Sequence, residues 1–372
     1  MGASLRLGEG APYERLVGVG GIGTGLFFTL EGNHDLGRNE SRPGRLLDVR
    51  DYCKLHIVAH YPAVLLGAHA ERGPFQVLPV GKVGNDETGL RLRAEMEAAG
   101  MDVRFVDAVP GHPTLLSVCF QYPDGSGGNI TTVDSAASRV RERDVDLAER
   151  WLSSRSIALA APEVPLGVRR HLLRRAGERG ALRAASLTTA EVAEARDTGL
   201  LSLVDVLALN EDEAAALVGE PWPGAEPDPF LDRCAGVLRV SQPTMRAVIT
   251  AGPQGAFAFD GESWSHVPAL PVPLASTAGA GDALLGALLA GLAAGLPFAA
   301  GARGSLAERP LESALDLGTL VAAFKVTSPH TIPPGFSLGN LVAFARGHGV
   351  TFAEGFERLL PAGMAREHSH GR

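Results

Sequence analysis

Short apolar strands alternate with amphipathic helices through the middle of the chain, and this alternation restricts the fold more than any other feature. The strands are predicted near 156–161, 182–187, 203–209 and 246–251, and the helices at 165–179, 190–200, 211–219 and 230–240. Such alternation gives a parallel sheet with helices on both faces and with ligands at the carboxyl ends of its strands. The sequence therefore predicts one doubly wound α/β domain over residues 1–360 and a disordered tail over 361–372.

The composition argues against several classes of function. The chain has 372 residues, 45% of them hydrophobic, and its net charge of −8 is accompanied by no basic arm or patch. We therefore expect neither a nucleic-acid partner nor a membrane partner. The three cysteines lie far apart and suggest no disulfide framework or metal site, so a reducing cytoplasmic location is expected. Residues 283–302 form an uncharged run, but its glycines and Pro297 favour a buried helix over a membrane span.

The clearest candidate for chemistry is the segment 276–282, Ser-Thr-Ala-Gly-Ala-Gly-Asp, which precedes a helix of small and apolar residues. The first N–H groups of a helix are unpaired and carry partial positive charge, so small residues at this point expose an anion-binding site. A carboxylate at its edge, Asp282, suits an enzyme that removes a proton from a hydroxyl while the amides hold a phosphoryl group. Alternatively, Asp282 only caps the helix.

This segment resembles the second signature of the ribokinase (PfkB) family of carbohydrate kinases, D-T-x-G-A-G-D. The matching residues are Thr277, Gly279, Ala280, Gly281 and Asp282. The resemblance implies a ribokinase-like three-layer α/β fold with a doubly wound, mostly parallel central sheet and a small β lid. It also implies ATP and Mg²⁺ as cofactors, Asp282 as catalytic base, residues 279–281 as the anion hole and Thr277 beside the nucleotide.

Two further strand ends carry polar residues where a ligand is expected. Asn210 and Glu213 match the family's N-x-x-E motif, and a carboxylate and an amide one turn apart can hold a hydrated Mg²⁺ through its waters. An ordinary acidic helix start is the alternative. Thr250, Gly252 and Gly255 resemble the family's T-x-G-x-x-G beside the nucleotide, although glycines here are also common in turns.

The N-terminal half departs from the family pattern. The family has an Asp after the first strand and a G-G-x-x-x-N stretch, both lining the sugar site, whereas this chain has Gly25 and residues 56–62 at those places. The substitutes that we expect at an unusual substrate site are Asn33, Asp35, His60 and Tyr61. The resemblance also implies a lid formed by segments 30–60 and 110–134, through which a homodimer could form.

A competing interpretation rests on Gly18, Gly20 and Gly23, which satisfy the dinucleotide pattern G-x-G-x-x-G. That pattern needs a long helix immediately after it, whereas residues 31–39 are rich in turn formers. Ser276 stands where the family has a leading Asp that in many members helps to hold a monovalent cation. The cofactors expected are therefore ATP and Mg²⁺, with a monovalent cation left open.

The sequence thus predicts an ATP-dependent kinase that acts on a hydroxyl of a small sugar or nucleoside. No P-loop, protein-kinase or serine-hydrolase signature is present. Two alternatives remain: a catalytically degenerate relative that only binds nucleotide or sugar, and an NAD-linked oxidoreductase of the Rossmann type.

Overall fold

The structure is a computed structural model that describes residues 2–8, 10–123, 127–301 and 304–364. The predicted turn over 122–128 lies partly outside the described residues, as does most of the predicted tail over 361–372. The strands are β1 (Arg15–Val19), β2 (Gly23–Leu30), β3 (Gly44–Tyr52), β4 (Gln76–Gly84), β5 (Phe105–Val109), β6 (Leu115–Gln121), β7 (Gly127–Thr131), β8 (Ser156–Ala160), β9 (Leu182–Ser186), β10 (Val206–Asn210), β11 (Arg246–Thr250), β12 (Ala256–Phe259) and β13 (Trp264–Val267). The helices are α1 (Lys54–Leu65), α2 (Glu87–Ala98), α3 (Glu142–Ala148), α4 (Leu166–Glu178), α5 (Thr189–Asp197), α6 (Glu211–Val218), α7 (Asp228–Ser241), α8 (Ala280–Ala293), α9 (Ala314–Val326), α10 (Leu338–Gly347) and α11 (Glu354–Glu357).

Among the described strands, nine form a large sheet in the order β13-β12-β11-β10-β9-β8-β1-β4-β5. Neighbouring strands are parallel except at one edge, where β12 is antiparallel to both β11 and β13. Every residue of β8 is buried, as expected for a parallel strand covered on both faces. The predicted mostly parallel, doubly wound sheet is therefore confirmed. Strand β1, the first in the chain, lies between β4 and β8, so the strand order reverses there and a ligand crevice is expected at the carboxyl ends of the parallel strands.

Helix α8 lies in the core and is buried from Ala283 to Ala293, so the buried helix predicted from the uncharged run is confirmed over these residues. It packs against α9 and α1. Where α8 meets α1, a Cβ on Gly286 would lie 2.5 Å from the carbonyl oxygen of Val58. That carbonyl lacks a helical donor, because Pro62 has no N–H. No helix in the part of the chain that the structure describes combines the length and apolarity needed to cross a membrane.

A second sheet, the small sheet, has the order β3-β2-β6-β7 and occupies the place of the predicted lid. Its bounds differ from those expected over 30–60. Strand β2 begins at Gly23, and residues 54–60 belong to α1, which packs against α8. The sequence marks α1 weakly, because Pro62 interrupts the helix and buried residues surround it on nearly all sides.

The glycines near the end of β1 do not form a dinucleotide site. After Gly23 the chain continues as strand β2, whereas a dinucleotide fingerprint requires a helix N-terminus at this point to bind the pyrophosphate. The NAD-linked interpretation is therefore wrong. Gly20 instead allows close packing, because a Cβ at this position would lie 2.8 Å from the Cβ of Leu55.

Candidate active site

A cleft of about 930 Å³ opens at the carboxyl ends of β10 and β11, beside the start of α8. The structure brings to it all the residues predicted for catalysis and cofactor binding, namely Asn210, Glu213, Thr250, Gly252, Gly255, Thr277, Gly279, Ala280, Gly281 and Asp282. The lining also includes the apolar side chains of Val272, Leu274, Ala322 and Val326. A mostly apolar lining with a few polar groups is typical of a small-molecule site.

Backbone donors are exposed where α8 begins. The helix starts after Gly279, whose φ of 77° lies in the left-handed region that favours glycine. The N–H of Ala280 donates to the Thr277 carbonyl oxygen at 3.0 Å, whereas the described residues provide no acceptor for the N–H groups of Gly279, Gly281 or Asp282. The free donors are therefore those of Gly279, Gly281 and Asp282, a set shifted from the predicted 279–281. Together with the helix dipole they form an anion-binding site.

Asp282 lies in the first turn of α8 and remains partly accessible from the cleft. The helix cap is Gly279, so the alternative that Asp282 serves as the cap does not agree with the geometry. Burial raises the pKa of Asp282 above its ordinary value, and the positive charge of Lys54 opposes part of that rise. The result is a carboxyl group that holds a proton more strongly than an exposed aspartate and faces free amides.

Lys54, the first residue of α1, supplies the positive charge in the cleft. Its Nζ donates to the Leu187 carbonyl oxygen at 3.3 Å and to Oε1 of Glu213 at 3.4 Å. Burial alone would lower the pKa of this ammonium, but the carboxylates of Asp282, Glu213 and Glu163 raise it above its ordinary value. Lys54 is therefore held charged among three acidic groups.

Asn210 and Glu213 form a capping box at the start of α6. Oδ1 of Asn210 accepts from the N–H of Glu213 at 2.8 Å, and Oε2 of Glu213 accepts from the N–H of Asn210 at 2.9 Å. Because Oε1 of Glu213 also accepts from Lys54, both carboxylate oxygens already have donors. This geometry does not suit direct metal coordination by Glu213, but it leaves contact through water open.

Thr250 and the two glycines after it play different structural parts. A Cβ on Gly281 would lie 3.3 Å from the Thr250 hydroxyl, so this hydroxyl faces the start of α8. Gly252 lies against open space, with Oε2 of Glu211 3.9 Å from its missing Cβ. Gly255, with a φ of 90°, would place a Cβ 2.1 Å from the Val267 carbonyl oxygen, so its backbone packs against the end of β13.

Glu163 is a site residue that the sequence interpretation missed. It follows β8 with a φ of 74°, which is unusual for a residue other than glycine and frequent at functional sites. Its Oε2 accepts from the backbone N–H of Lys54 at 3.2 Å, and its carboxyl group also interacts with the Cys53 thiol. Burial raises the pKa of Glu163 to about 7. Its position three residues after the buried strand β8, at the end of the sheet where ligands bind, was the available signal.

A buried ammonium supports the segment before α8. Lys325, in α9, is fully buried, and its Nζ donates to the Ser276 carbonyl oxygen at 2.9 Å. Burial lowers its pKa to about 8, against the opposing charge of Asp51. Of the 34 lysines and arginines in the chain only three are lysine, and two of these, Lys54 and Lys325, lie at the site. The scarcity of lysine was therefore a usable sequence signal for these two site residues.

The structure does not bring together the four residues predicted to bind substrate. Asn33 and Asp35 are exposed in the connection between β2 and β3. His60 and Tyr61 lie on α1, where Tyr61 is fully buried with its ring centroid 4.8 Å from that of Phe336. A fully buried side chain cannot reach a ligand without repacking. The four residues are therefore not assembled in one place, because α1 belongs to the core and not to the small sheet.

Comparisons with known proteins agree with this architecture. Residues 62–336 match the model of the pfkB family carbohydrate kinases. The chain is 25% identical over 256 residues to a deoxyribokinase of Salmonella typhi, which covers 69% of this chain and 77% of that protein. It is 39% identical over 101 residues to a fructokinase of Klebsiella pneumoniae, a match that covers 26% of this chain and 29% of that protein.

Solved structures show the same fold. The ribokinase of Arabidopsis thaliana complexed with ribose and ATP has a TM-score of 0.66 at 18% identity, covering 89% of this chain and 98% of that one. An adenosine kinase from Sinorhizobium meliloti has a TM-score of 0.64 at 21% identity, covering 91% and 99% of the two chains. These likenesses confirm the predicted ribokinase-like fold. Since the family model matches well over half of its length, the chain belongs to the pfkB family of carbohydrate kinases.

Proposed function

We propose that this protein transfers the γ-phosphoryl group of ATP to a hydroxyl group of a small sugar or nucleoside. The observation that carries the proposal is the meeting of unpaired amides at Gly279 and Gly281 with the Asp282 carboxylate in one cleft. Asp282 accepts the proton of the attacking hydroxyl, and the amides stabilise the charge on the transferred group. Positioning and charge stabilisation are most of what phosphoryl transfer requires of a protein.

The electrostatics of Asp282 support its role as base. Catalysis by a general base is most efficient when its pKa approaches the working pH, and burial moves the pKa of Asp282 in that direction. Lys54 limits the rise in the pKa of Asp282, which favours the ionised form that can accept a proton. The same ammonium offsets the negative charge that the nucleotide phosphates bring into the cleft.

The rest of the cleft suits a nucleotide. The apolar side chains Val272, Leu274 and Val326 can pack against an adenine ring, and Thr250 lies close to the phosphate-binding amides. Magnesium bound with ATP would supply positive charge that offsets the charge of the phosphates. Glu213 would contact a hydrated Mg²⁺ through water, since its own oxygens already accept hydrogen bonds.

A direct assay tests this function. Purified protein is incubated with ATP, Mg²⁺ and, in turn, D-ribose, 2-deoxy-D-ribose, D-fructose or adenosine, and ADP release and the phosphorylated product are measured. The panel is taken from the names of the relatives described above. We expect transfer to at least one acceptor. Binding of ATP and of an acceptor without any transfer would instead support the degenerate alternative.

We infer that the reaction does not depend on a monovalent cation. The Ser276 carbonyl oxygen, beside the place where the family resemblance implies such a cation, already accepts from the Lys325 ammonium at 2.9 Å. A fixed ammonium and a bound potassium ion so close together would repel each other, so the residues do not fit this ion. Initial rates in potassium, sodium and tetramethylammonium chloride should agree within about twofold. A tenfold stimulation by potassium would contradict the inference.

We also propose that a second copy of the chain covers the outer face of the small sheet. Leu26, Leu46 and Ile130 are 41%, 57% and 68% exposed. Leu26 and Ile130 both pair with Val118, so they share one face. An apolar face on a two-fold axis buries itself against its own copy. Light scattering should give a mass twice that of the 38.8 kDa chain, and Ile130→Lys should lower the measured mass. A monomeric wild type would contradict the proposal.

We also propose a cytoplasmic location, in line with the three free cysteines.

A further inference from the structure

Three glycines at alternate positions leave empty side-chain places: Gly21 lies before β2, and Gly23 and Gly25 lie within it. Atoms from other segments fill each of these places. The atoms nearest to the missing Cβ positions belong to Glu163 (Cβ at 2.5 Å), Leu115 (carbonyl oxygen at 2.4 Å, followed by Cys53 Sγ at 2.8 Å) and Asp51 (Oδ2 at 2.1 Å). A larger residue at any of these positions would collide with the atoms that pack there, so glycine is required. Two of the side chains that occupy these places, Glu163 and Asp51, carry carboxylates.

The contact between Gly25 and Asp51 is a cross-strand one. The two residues are paired neighbours on the antiparallel strands β2 and β3, so their side-chain positions lie on the same face of the small sheet. Because Oδ2 of Asp51 would lie 2.1 Å from a Cβ at residue 25, the carboxylate occupies the space that any larger residue at this position would need. Strand β3 therefore delivers a carboxylate to the position of the absent Gly25 side chain.

Asp51 is connected to the catalytic segment through Thr331. The Thr331 hydroxyl lowers the pKa of Asp51, accepts from the backbone N–H of Tyr52 at 3.1 Å and donates to the Arg50 carbonyl oxygen at 3.4 Å. The backbone N–H of Thr331 also donates to the Arg50 carbonyl oxygen, at 3.1 Å. On its other side, the Cβ of Thr331 lies 3.1 Å from the place of a Cβ on Gly279, the residue that starts the anion-binding turn. A single side chain thus separates Asp51 from that turn.

The charges around Asp51 lack a strong counter-ion. Burial raises the pKa of Asp51 to about 6, the negative charge of Asp282 adds to this, and Lys325 opposes it. Asp51 nevertheless keeps part of its surface accessible. A partly buried carboxylate is stabilised by hydroxyl donors, which satisfy its lone pairs without adding negative charge.

We propose that Asp51 binds the acceptor, accepting a hydrogen bond from a hydroxyl other than the one that is phosphorylated. The acceptor class is then a polyhydroxylated sugar or nucleoside that presents one hydroxyl to Asp51 while another meets Asp282. This assignment rests on the proposed kinase function. It gives the small sheet a role in substrate specificity, since Asp51 lies on β3 and Asp282 lies at the start of α8.

The test measures the KM for the acceptor separately from kcat and from the KM for ATP, using the best acceptor of the four. Asp51→Asn should raise the acceptor KM about 10- to 100-fold, because a hydrogen bond to a charged group is lost, and leave the ATP KM within about twofold. Gly25→Ala keeps Asp51 but displaces its carboxylate, and it should raise the acceptor KM similarly. Asp48→Asn, an exposed residue of the same strand, is the charge-matched control and should change nothing.

The decisive variant moves the carboxylate back across the strand pair. Gly25→Asp combined with Asp51→Gly should bring the acceptor KM to within about tenfold of wild type, whereas Gly25→Asp alone, with two carboxylates in one space, should be impaired most. An unchanged acceptor KM in both Asp51→Asn and Gly25→Ala overturns the assignment, as does an equal rise in the ATP KM.

Calorimetric titration with the same four compounds separates the failure of the Asp51 assignment from the failure of the proposed kinase function. If the wild type neither phosphorylates nor binds any of them, the proposed function and the Asp51 assignment both fail. If it phosphorylates one and Asp51→Asn behaves as wild type, only the assignment fails.

Discussion

Replacing Asp282 with asparagine is expected to lower kcat about 100-fold or more while ATP binding survives. An amide cannot accept the proton of the attacking hydroxyl, so about 2.7 kcal/mol of transition-state stabilisation is lost. The free N–H groups of Gly279 and Gly281 remain in place. One negative charge fewer beside them also favours the nucleotide phosphates. Steady-state kinetics should therefore show a large fall in kcat with an unchanged or lower KM for ATP.

Asp86→Asn is the matched control for this variant. Asp86 caps α2, where its Oδ1 accepts from the N–H of Gly89 at 2.8 Å, and it is not among the residues lining the cleft. Asparagine still caps α2 through its Oδ1, but the N–H of Thr114 loses the Oδ2 acceptor that lies 2.7 Å away. Asp86→Asn should therefore lower stability and leave kcat nearly unchanged. If Asp282→Asn keeps more than about a tenth of the wild-type kcat, Asp282 is not the general base.

The central sheet and the nucleotide side of the site could be predicted because their signals are local. The strand expected near 246–251 occurs at Arg246–Thr250, and the helix expected over 211–219 occurs at Glu211–Val218, with Gly219 in the left-handed conformation after it. Apolar periodicity and glycine punctuation specify such elements directly. The motif that ends in Asp282 is likewise contiguous, and the rule that ligands bind at the carboxyl ends of parallel strands predicts that it lies beside Asn210.

The acceptor side of the site could not be predicted in the same way, because tertiary structure assembles it from distant segments. Asp51 meets Gly25 only through the pairing of β2 with β3, and Glu163 meets Lys54 only where the end of β8 approaches the start of α1. No periodicity encodes either contact. The glycine at residue 25 was visible in the sequence as a missing side chain, but the strand that fills its place becomes apparent only in the fold.

Lys54→Met is expected to lower kcat/KM for ATP about 100-fold or more at neutral pH. It removes the ammonium that lies 3.4 Å from Glu213 and stabilises the charged forms of Asp282 and Glu163. At an effective dielectric constant of about 20, one such charge pair at contact distance is worth roughly 4 kcal/mol before solvent screening. Without it the pKa values of these carboxyls rise further, so the ionised base is lost at a higher pH. The acid limb of the pH–rate profile should move up by about one unit or more, and activity should partly recover as the pH is raised.

Two other substitutions separate the charge of Lys54 from its part in packing. Lys54→Arg keeps the charge, so its acid limb should stay within about half a unit of wild type even if its rate falls. Lys82→Met removes the one lysine of the chain that lies away from the site. Its Nζ lies 2.7 Å from Oδ2 of Asp144, and both side chains are more than nine-tenths buried. Breaking this buried pair should cost about 3–5 kcal/mol of stability and leave the pH–rate profile unchanged. A Lys54→Met enzyme with the wild-type acid limb would show that the ammonium does not control the ionisation of the catalytic carboxyl, and Asp282 would then depend on burial and the α8 amides alone.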